Sequence, residues 1–529
     1  MIPEQFADVH PNTPIIAGVG QDIDRNRKNS DQTPIALIAS AAQRALEDAA
    51  AQATIHPEAT VAVRLVFDTP AQFKDAKTAQ SRLTQYANPP AALAQHLGLK
   101  SRHFFYNEGG GASPQTSINL IAERLAQGEF KSALIAGGEA LATQHMRHVA
   151  GKSGWPDNNP DAGEPEYIGD FHPMLTPQEA AYGLNLPVAS YPLFANGLRQ
   201  KYQQTVSEHL QACAELFHPL SATAAANPLS WFPVEHSVEK LQKIDNDNRW
   251  VGFPYPKYLN SVMRVNMSAA VFMCTWQEAD RLGIELEKRI FLHGCSHAHD
   301  SLSILQRPDY SSSPAIRHLS AQSFDMAGIT PQDIDCMDIY SCFPSAVQIA
   351  CDEIGIMHKN RNSQPHLPPL SLAGGLPYFG GPGNNYCLHA LHEAVHKLRK
   401  NREAYALVTA NGGYLTKHAA GIYSARPTLG AWQAPDYQQT QRKVDATPAP
   451  QTADALEGEV TVETYTVHHG RDGERKGIVI GRNKQGIRTL AQVEPQQSAL
   501  LQSMVTEEWL GRKGQVHRND DKNLFSANL

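Results

Sequence analysis

Two glycine turns hold the residues in this 529-residue chain whose types and spacing could do chemistry. The first reads Asn107-Glu108-Gly109-Gly110-Gly111-Ala112-Ser113-Pro114 and leads into Ile118, Ile121, Ala122 and Leu125 at helical spacing. A glycine turn at a helix N-terminus presents free N–H groups and lets a ligand come close to the backbone. It can therefore hold an oxyanion or carry a nucleophile. This turn carries no cysteine. The second turn, Gly380-Gly381-Pro382-Gly383-Asn384-Asn385, precedes the amphipathic stretch Leu388 to Leu398. Both helices lead to apolar stretches that end in glycines, Ser132 to Gly138 and Ala404 to Gly413. The order glycine turn, helix, strand, glycine pair thus occurs at 109–138 and again at 380–413. That repetition predicts an internal duplication whose two glycine turns could face one another. The plainer reading is that glycine turns precede helices in many α/β chains.

The remaining periodicity supplies elements to position these turns. Pro14 to Gly20 predicts a buried strand. Thr33 offers an N-cap ahead of Pro34, and Ile35, Ile38, Ala42, Ala45, Leu46 and Ala49 follow at helical spacing. Val61 to Phe67 predicts a strand and Pro90 to Leu97 a short helix, giving an α/β half with a central sheet. Residues 145–250 break this pattern, with loop material at Trp155 to Pro160 and one amphipathic helix over Asn196 to Phe217. A loop domain covering a site is the simplest reading. Arg289 to Gly294, Pro314 to Gly328 and Cys336 to Tyr340 then repeat strand, helix and strand. Residues 431–454 are rich in Pro, Ala and Gln and read as a linker. Beyond them, strands at Glu459 to His468, Gly477 to Gly481, Ile487 to Gln492 and Gly514 to His517, with a helix at Ala499 to Trp509, predict a small mostly-β, barrel-like domain. The expected domains are 1–285, including a loop domain at about 145–250, then 286–430, the linker 431–454, and 455–529.

The net charge of −7 gives no electrostatic reason for a nucleic-acid or anionic-membrane partner. No run of about 18 apolar residues predicts a membrane span. The start Met1-Ile2-Pro3-Glu4-Gln5 lacks the basic and apolar blocks of a secretory signal. Seven scattered cysteines with no CxxC predict a reduced, cytoplasmic protein.

The duplicated halves, the NEGGGAS turn, the IYSCFPSAV stretch and the GGLPYFGGPGNN stretch together resemble the thiolase superfamily over roughly residues 10–430. The YSCFPSAV and ALVTANGGYLTKH forms and the appended HHGRDGERKGIVIGR segment are most similar to the thiolase-like protein type 1 group. That group is often labelled acetyl-CoA acetyltransferase and is distinguished by an additional C-terminal domain. The resemblance implies duplicated halves in a layered αβαβα fold, and acyl-CoA or a related thioester as ligand, with no other cofactor. It also implies where catalytic residues should stand. A thiolase N-x-x-C turn places its nucleophile, activated at a helix N-terminus, at Gly110 here. The histidine of G-H-P-x-G corresponds to Gly381. The cysteine of C-x-G corresponds to Thr409, with a one-residue shift of register open. The first residue of N-E-A-F or H-D-C-F, which helps hold the thioester oxygen, corresponds to Tyr340. All four positions differ, so ordinary thiolase activity is not expected.

Weighed residue by residue, Gly109, Gly110 and Gly111, with Gly381 and Asn411, form either a ligand-holding pair of turns or packing turns left from ancestry. Ser113 could act as a nucleophile only with a base nearby, and a capping serine is the simpler reading. Cys342, just past a strand end, could replace the missing nucleophile, against a packing cysteine. Tyr340 could donate to a carbonyl, against a half-buried tyrosine. His297, His299 and Asp300 have metal-ligand composition, but no third or fourth ligand in fixed geometry is indicated, so no metal is expected. His468 and His469 read as solvated. Two functions from different classes follow. One is an acyltransferase-like thioester binder; the other is a non-catalytic scaffold that recruits an acyl-processing protein through its C-terminal domain.

Overall fold

Local chemistry starts the helices that feed the sheet. Thr33 caps Pro34–Asp48 by accepting the Ala36 N–H at 3.1 Å, with Pro34 in the first turn. Ser313 does the same for Pro314–Ala327, accepting the Ile316 N–H at 3.2 Å. The computed structural model describes residues 6–26, 32–66, 86–152, 155, 162–171, 173–359, 367–494 and 496–528.

The strands in chain order are β1 (Pro14–Ile23), β2 (Ala59–Ala62), β3 (His103–Asn107), β4 (Ser132–Ala140), β5 (Glu166–Ile168), β6 (Trp250–Gly252), β7 (Tyr255–Pro256), β8 (Asn266–Thr275), β9 (Ile290–His299), β10 (Cys336–Asp338), β11 (Tyr405–Gly412), β12 (Lys417–Ser424), β13 (Gly458–His469), β14 (Arg475–Arg482), β15 (Arg488–Val493), β16 (Lys513–Asn519) and β17 (Lys522–Ser526). One sheet runs β10-β11-β12-β9-β1-β8-β4-β2-β3-β5. The two halves meet at β1 and β9, through Ile15↔Phe291 and Ile16↔Ile290.

Strand directions show the duplication. Outward from the junction, β1 pairs β8 antiparallel, β8 pairs β4 antiparallel, and β4 pairs β2 parallel. On the other side β9 pairs β12 antiparallel, β12 pairs β11 antiparallel, and β11 pairs β10 parallel. The helices Ser113–Gln127 and Tyr386–Lys400 are the matching pair, and both bury their first turns completely. They pack against one another in the interior, where Cys387 Sγ lies 3.9 Å from Gln115 Oε1. A mixed α/β fold with a large sheet is thus assembled from two equivalent halves, as the resemblance implies.

The loop domain is an insertion at one place in this repeat. A short turn joins β11 to β12, whereas the equivalent strands β4 and β8 are separated by residues 141–265. The apolar spacing over 196–217 suggested one helix; there are two, Pro187–Tyr202 and Val206–Ala226. Gln203 ends the first in a left-handed conformation (φ 54°), and Thr205 with Glu208 forms a reciprocal capping box that starts the second. Likewise β2 stops at Ala62, short of the expected Val61 to Phe67, and Phe67 lies outside the described residues.

His209, on the second of these helices, is fully buried between Gln204 Oε1 (3.2 Å) and Cys213 Sγ (3.4 Å). Burial, reinforced by Arg199, lowers its pKa from 6.5 to about 3. A base whose folded pKa lies below its unfolded one stabilises the fold above the unfolded value and loses that stability as pH falls. Buried Glu108 and Asp338, raised to about 7 and about 6, pull the other way between pH 4 and 7. A variant isolates the histidine: in His209→Gln, the stability lost between pH 7 and pH 5 should be about 2 kcal/mol less than in the parent. Urea unfolding at the two pH values measures this, and equal losses would contradict a neutral buried His209.

The C-terminal strands close a five-stranded barrel, β13-β14-β15-β17-β16 and back to β13. Strand β17 was not foreseen. The barrel core of Val460, Val462, Tyr465, Val479, Trp509 and Phe525 also takes in Phe253 of the loop domain. Strands β6 and β7 extend the barrel sheet from the loop domain through His468↔Gly252. Buried Arg488 donates to the carbonyls of Leu305 and Arg307, each at 2.6 Å, and to Glu463. Arg199 is paired with Glu508. The stretch 431–454 carries a helix, Tyr437–Asp445, whose Gln441 bonds both the N–H and the carbonyl of His299 at 2.9 Å. Among the described residues no helix is long and apolar enough to cross a membrane.

Candidate functional site

The two glycine turns face one another. β3 ends at Asn107, and Gly110 follows with φ 113°, a conformation that a side chain rarely adopts. The Gly110 N–H donates to Asn384 Oδ1 of the second turn at 3.0 Å. Asn384 Nδ2 donates to the Arg64 carbonyl at 2.8 Å, and the Arg64 N–H donates to Asn107 Oδ1 at 2.8 Å. One of the N–H groups that a ligand would use is therefore spent on holding the turns together. Gly412 closes the other side: a Cβ on Gly110 would lie 3.2 Å from Gly412 Cα and 3.6 Å from Met174 Sδ. Gly381 cannot carry a histidine without displacing Ser261 Oγ and Leu376, against which a Cβ would press.

Tyr340 reaches into this junction. A Cβ on Gly111 would collide with the Tyr340 hydroxyl and lie 2.6 Å from the Asn411 carbonyl oxygen. The Tyr340 N–H donates to Thr409 Oγ1 at 2.9 Å, so Thr409 braces the tyrosine backbone. Neither Thr409 nor its neighbour Ala410 supplies a thiol in either register. Burial holds the Tyr340 phenol well above its usual pKa, with Cys342 adding to the effect. It stays protonated at neutral pH and can act as a hydrogen-bond donor.

Cys342 is also brought close, but in the wrong state for attack. Burial pushes its thiol up to about 12, despite hydrogen bonds from Tyr191 and Asn411. Asn411 Nδ2 lies 3.7 Å from Cys342 Sγ and 3.0 Å from the Tyr191 hydroxyl. Ser113 starts the helix with its N–H donating to the Gly110 carbonyl at 3.0 Å. Its Oγ is buried with no hydrogen-bond partner among the described residues, so no base activates it. A narrow cavity of about 20 Å³ lies behind Tyr340, lined by Thr409, Asn411, His418, Ser320 and apolar residues. That volume admits a water and no acyl chain.

One charged pair supports the first turn and was not foreseen. Lys417, at the start of β12, lies 2.7 Å from Glu108 Oε2 and also contacts the Asp170 carbonyl. Both charged side chains are buried, 6% and 3% exposed. Their only sequence signal was that both fall inside stretches already singled out, NEGGGAS and ALVTANGGYLTKH. Arg64, Met174, Tyr191 and Asn384 complete the surroundings, and only Asn384 lay in a recognised motif.

The histidine stretch of β9 does not assemble a metal site. His297 stacks on Tyr437 with ring centres 4.0 Å apart, and His299 lies 3.7 Å from Asp170. Asp300 is used by Ser313, the Ala315 N–H and Arg307. Among the described residues no group of three or more His, Cys, Asp or Glu side chains could hold a metal. His468 and His469 are half-buried beside the barrel hairpin, and burial lowers the pKa of both.

Comparisons with known proteins agree with this architecture. The family described as thiolase C-terminal domain-like matches residues 296–425, and the thiolase-like protein type 1 additional C-terminal domain matches residues 439–522. Two archaeal proteins named acetyl-CoA acetyltransferase are related. The one from Methanothermobacter thermautotrophicus is 24% identical over 42% of this chain, and the chain spans 57% of that relative's length. The one from Methanocaldococcus jannaschii is 23% identical over 59% of this chain and 74% of its own. A solved structure, a monomeric SCP2-thiolase-like protein type 1 from Mycobacterium smegmatis, is 30% identical with a TM-score of 0.81, covering 98% of this chain and all of that one. Matched over nearly its whole length by that structure, and in its second half by both family descriptions, the chain belongs to the thiolase superfamily, in its SCP2-thiolase-like protein type 1 group.

Proposed function

We propose that this chain binds an acyl-CoA or a related thioester without forming an acyl-enzyme, and that ordinary thiolase chemistry is not its activity. The observation that carries this is Gly110: the nucleophile position has no side chain, a left-handed φ, and Gly412 Cα pressed against it. Gly381 is hemmed in by Ser261, so no histidine side chain stands at that position. Tyr340 is the group left to touch a thioester carbonyl, as a neutral donor beside the turn. Cys342, with its pKa near 12, and Ser113, with no base, do not serve as nucleophiles. The test is a thermal-shift titration with CoA, acetyl-CoA and a long-chain acyl-CoA, with intact-mass analysis of the same samples. A ligand bound only by the folded state should add about 2.7 kcal/mol at 100 times its Kd. The expected result is a shift with no covalent adduct. An acyl adduct would sink the reading, and so would the absence of any shift.

A scaffold role is favoured by one feature, an open cleft of about 370 Å³ where Tyr182 to Ala189 meets the β13–β14 turn, with Leu186 exposed. On this reading the barrel recruits a protein partner, and thioesters give no shift while a stable partner co-purifies. A related expectation concerns assembly. Both outermost strands of the large sheet, β5 and β10, have three residues, which offers little for edge-to-edge pairing with a second copy. The barrel is further expected to shield an association surface, so light scattering after size exclusion should return a monomer of 58.0 kDa. A stable dimer would remove this expectation.

A further inference from the structure

Met174 covers the place where the two glycine turns meet, and no sequence pattern singled it out. Three glycines report its position. A Cβ on Gly413 would lie 2.8 Å from Met174 Sδ and 3.1 Å from its Cβ and Cγ, so the thioether is packed onto the backbone just past β11. A Cβ on Gly110 would lie 3.6 Å from the same sulfur, and one on Gly109 would lie 3.7 Å from Met174 Cε. The side chain thus reaches from Gly413 across to the first turn, over the position that the family gives its nucleophile. Gly110 beneath it is buried and Met174 itself is partly exposed, so the thioether forms the outer wall of this junction.

The backbone that carries Met174 is fixed close by. Thr176 and Glu179 form a reciprocal capping box, in which the Glu179 N–H donates to Thr176 Oγ1 at 3.2 Å and the Thr176 N–H to Glu179 Oε2 at 2.9 Å. Glu179 is fully buried, and its other oxygen accepts from Ser303 Oγ at 2.9 Å and from the Leu305 N–H at 3.1 Å. The part free to move is therefore the side chain. Methionine is unbranched, with three rotatable bonds, and exposed side chains change rotamer within picoseconds to nanoseconds. Its swing leaves the turns in place. The Gly110 N–H stays on Asn384 Oδ1, and the Glu108 N–H stays on the Ile168 carbonyl.

We propose that Met174 is a movable plug on the junction of the glycine turns, and that a ligand reaches Gly109 and Gly110 only when the thioether swings out. The identity of that ligand rests on the thioester reading; the plug does not. A plug that stands aside about a tenth of the time lowers apparent affinity about tenfold, and removing it restores that factor. The plug also discriminates between ligands. The thioether competes for space with whatever group a ligand places at the turn. An acyl-CoA places its acyl carbonyl there, whereas CoA has no acyl group to place and should gain less from removal of the plug.

Access to the turn can be read without any ligand. Gly109 has no left-handed φ, and a Cβ there would meet only ordinary contacts, with Arg64 Nη1 at 3.6 Å and with Arg64 Cδ and Met174 Cε at 3.7 Å. Gly109→Cys therefore sets a thiol under the plug without rebuilding the turn, and the Arg64 guanidinium beside it favours the thiolate. The native cysteines are buried apart from half-buried Cys336, and the parent chain serves as the blank. Iodoacetamide labelling at position 109 of the full chain is followed by peptide mass analysis. Adding Met174→Ala should speed it about tenfold. Met174→Leu, which conserves volume, should leave the rate close to that of Gly109→Cys alone. Met174→Ser replaces the alanine variant if that fails to fold by circular dichroism. In parallel, thermal-shift titration of Met174→Ala alone should show acetyl-CoA bound about tenfold more tightly than by the parent, with a smaller gain for CoA. A labelling rate unchanged by Met174→Ala, or raised equally by Met174→Leu, would overturn the proposal. So would a parent and a folded Met174→Ala chain that bind acetyl-CoA equally. Faster labelling with no thioester shift in either protein would uphold the plug and remove the thioester reading instead.

Discussion

Replacing Lys417 with alanine should cost about 3–5 kcal/mol of unfolding free energy at pH 8, the expected price of stranding a buried charge. The partner left behind is Glu108, 3% exposed and 2.7 Å from the lysine nitrogen. Burial already raises the Glu108 carboxyl from 4.5 to about 7 against the pull of Lys417, with Asp170 adding a smaller push upward. The sign follows. A carboxyl whose folded pKa lies above its unfolded one stabilises the fold fully below about pH 4.5 and loses that stability as pH rises through about 7. Without Lys417 the folded pKa climbs further, so the cost should be clearly larger at pH 8 than at pH 5.5. Urea unfolding at both values measures it. A loss below about 1 kcal/mol, or one equal at the two pH values, would mean that charge pairing does not hold Glu108 in place. Function should follow stability, because Glu108 directly precedes Gly109 and its N–H anchors the turn to the Ile168 carbonyl at 3.0 Å. Any thioester-induced thermal shift should therefore shrink in the same variant.

The duplication, the helix start capped by Thr33, the helix over Pro314 to Gly328 and the barrel hairpin were all legible, because local spacing and, at Thr33, capping chemistry specify them. Three misreadings have separate causes. Apolar spacing runs straight across Gln203 and Gln204, so the break there is visible only in the Thr205-x-x-Glu208 capping pair. β2 ends early because the peptide of Arg64 is taken by Asn107 and Asn384 instead of a neighbouring strand. β17 is short, and two aspartates precede it in a tight turn where Asp520 has a φ of 48°. At the site, the glycines at 110 and 381, to which the resemblance assigns the places of a cysteine and a histidine, could be read directly. The groups that fill their surroundings could not. Lys417 meets Glu108 across 309 residues, and Asn384 meets Gly110 across 274, distances over which no local pattern reports.

Gly111→Ala should cost about 2–3 kcal/mol, at the high end for adding one methyl to a packed interior. Gly111 has no unusual φ, so the cost is steric alone. The methyl would strike the Tyr340 hydroxyl and approach the Asn411 carbonyl to 2.6 Å, and the second of these is backbone within β11 that cannot swing aside. The hydroxyl can be removed. In a Tyr340→Phe background the same Gly111→Ala change should cost about 1 kcal/mol less, a coupling expected only of groups in direct contact. The residual cost belongs to the Asn411 carbonyl. Urea unfolding of the four proteins in the cycle measures this, and additivity within about 0.3 kcal/mol would show that the hydroxyl does not occupy that position. The ligand arm of the same cycle separates two roles for Tyr340. If its hydroxyl donates to a thioester carbonyl, Tyr340→Phe weakens acyl-CoA binding while leaving the fold intact. If the hydroxyl only fills the space beside the turn, the substitution leaves affinity unchanged or raises it, because space beside Gly111 has been opened.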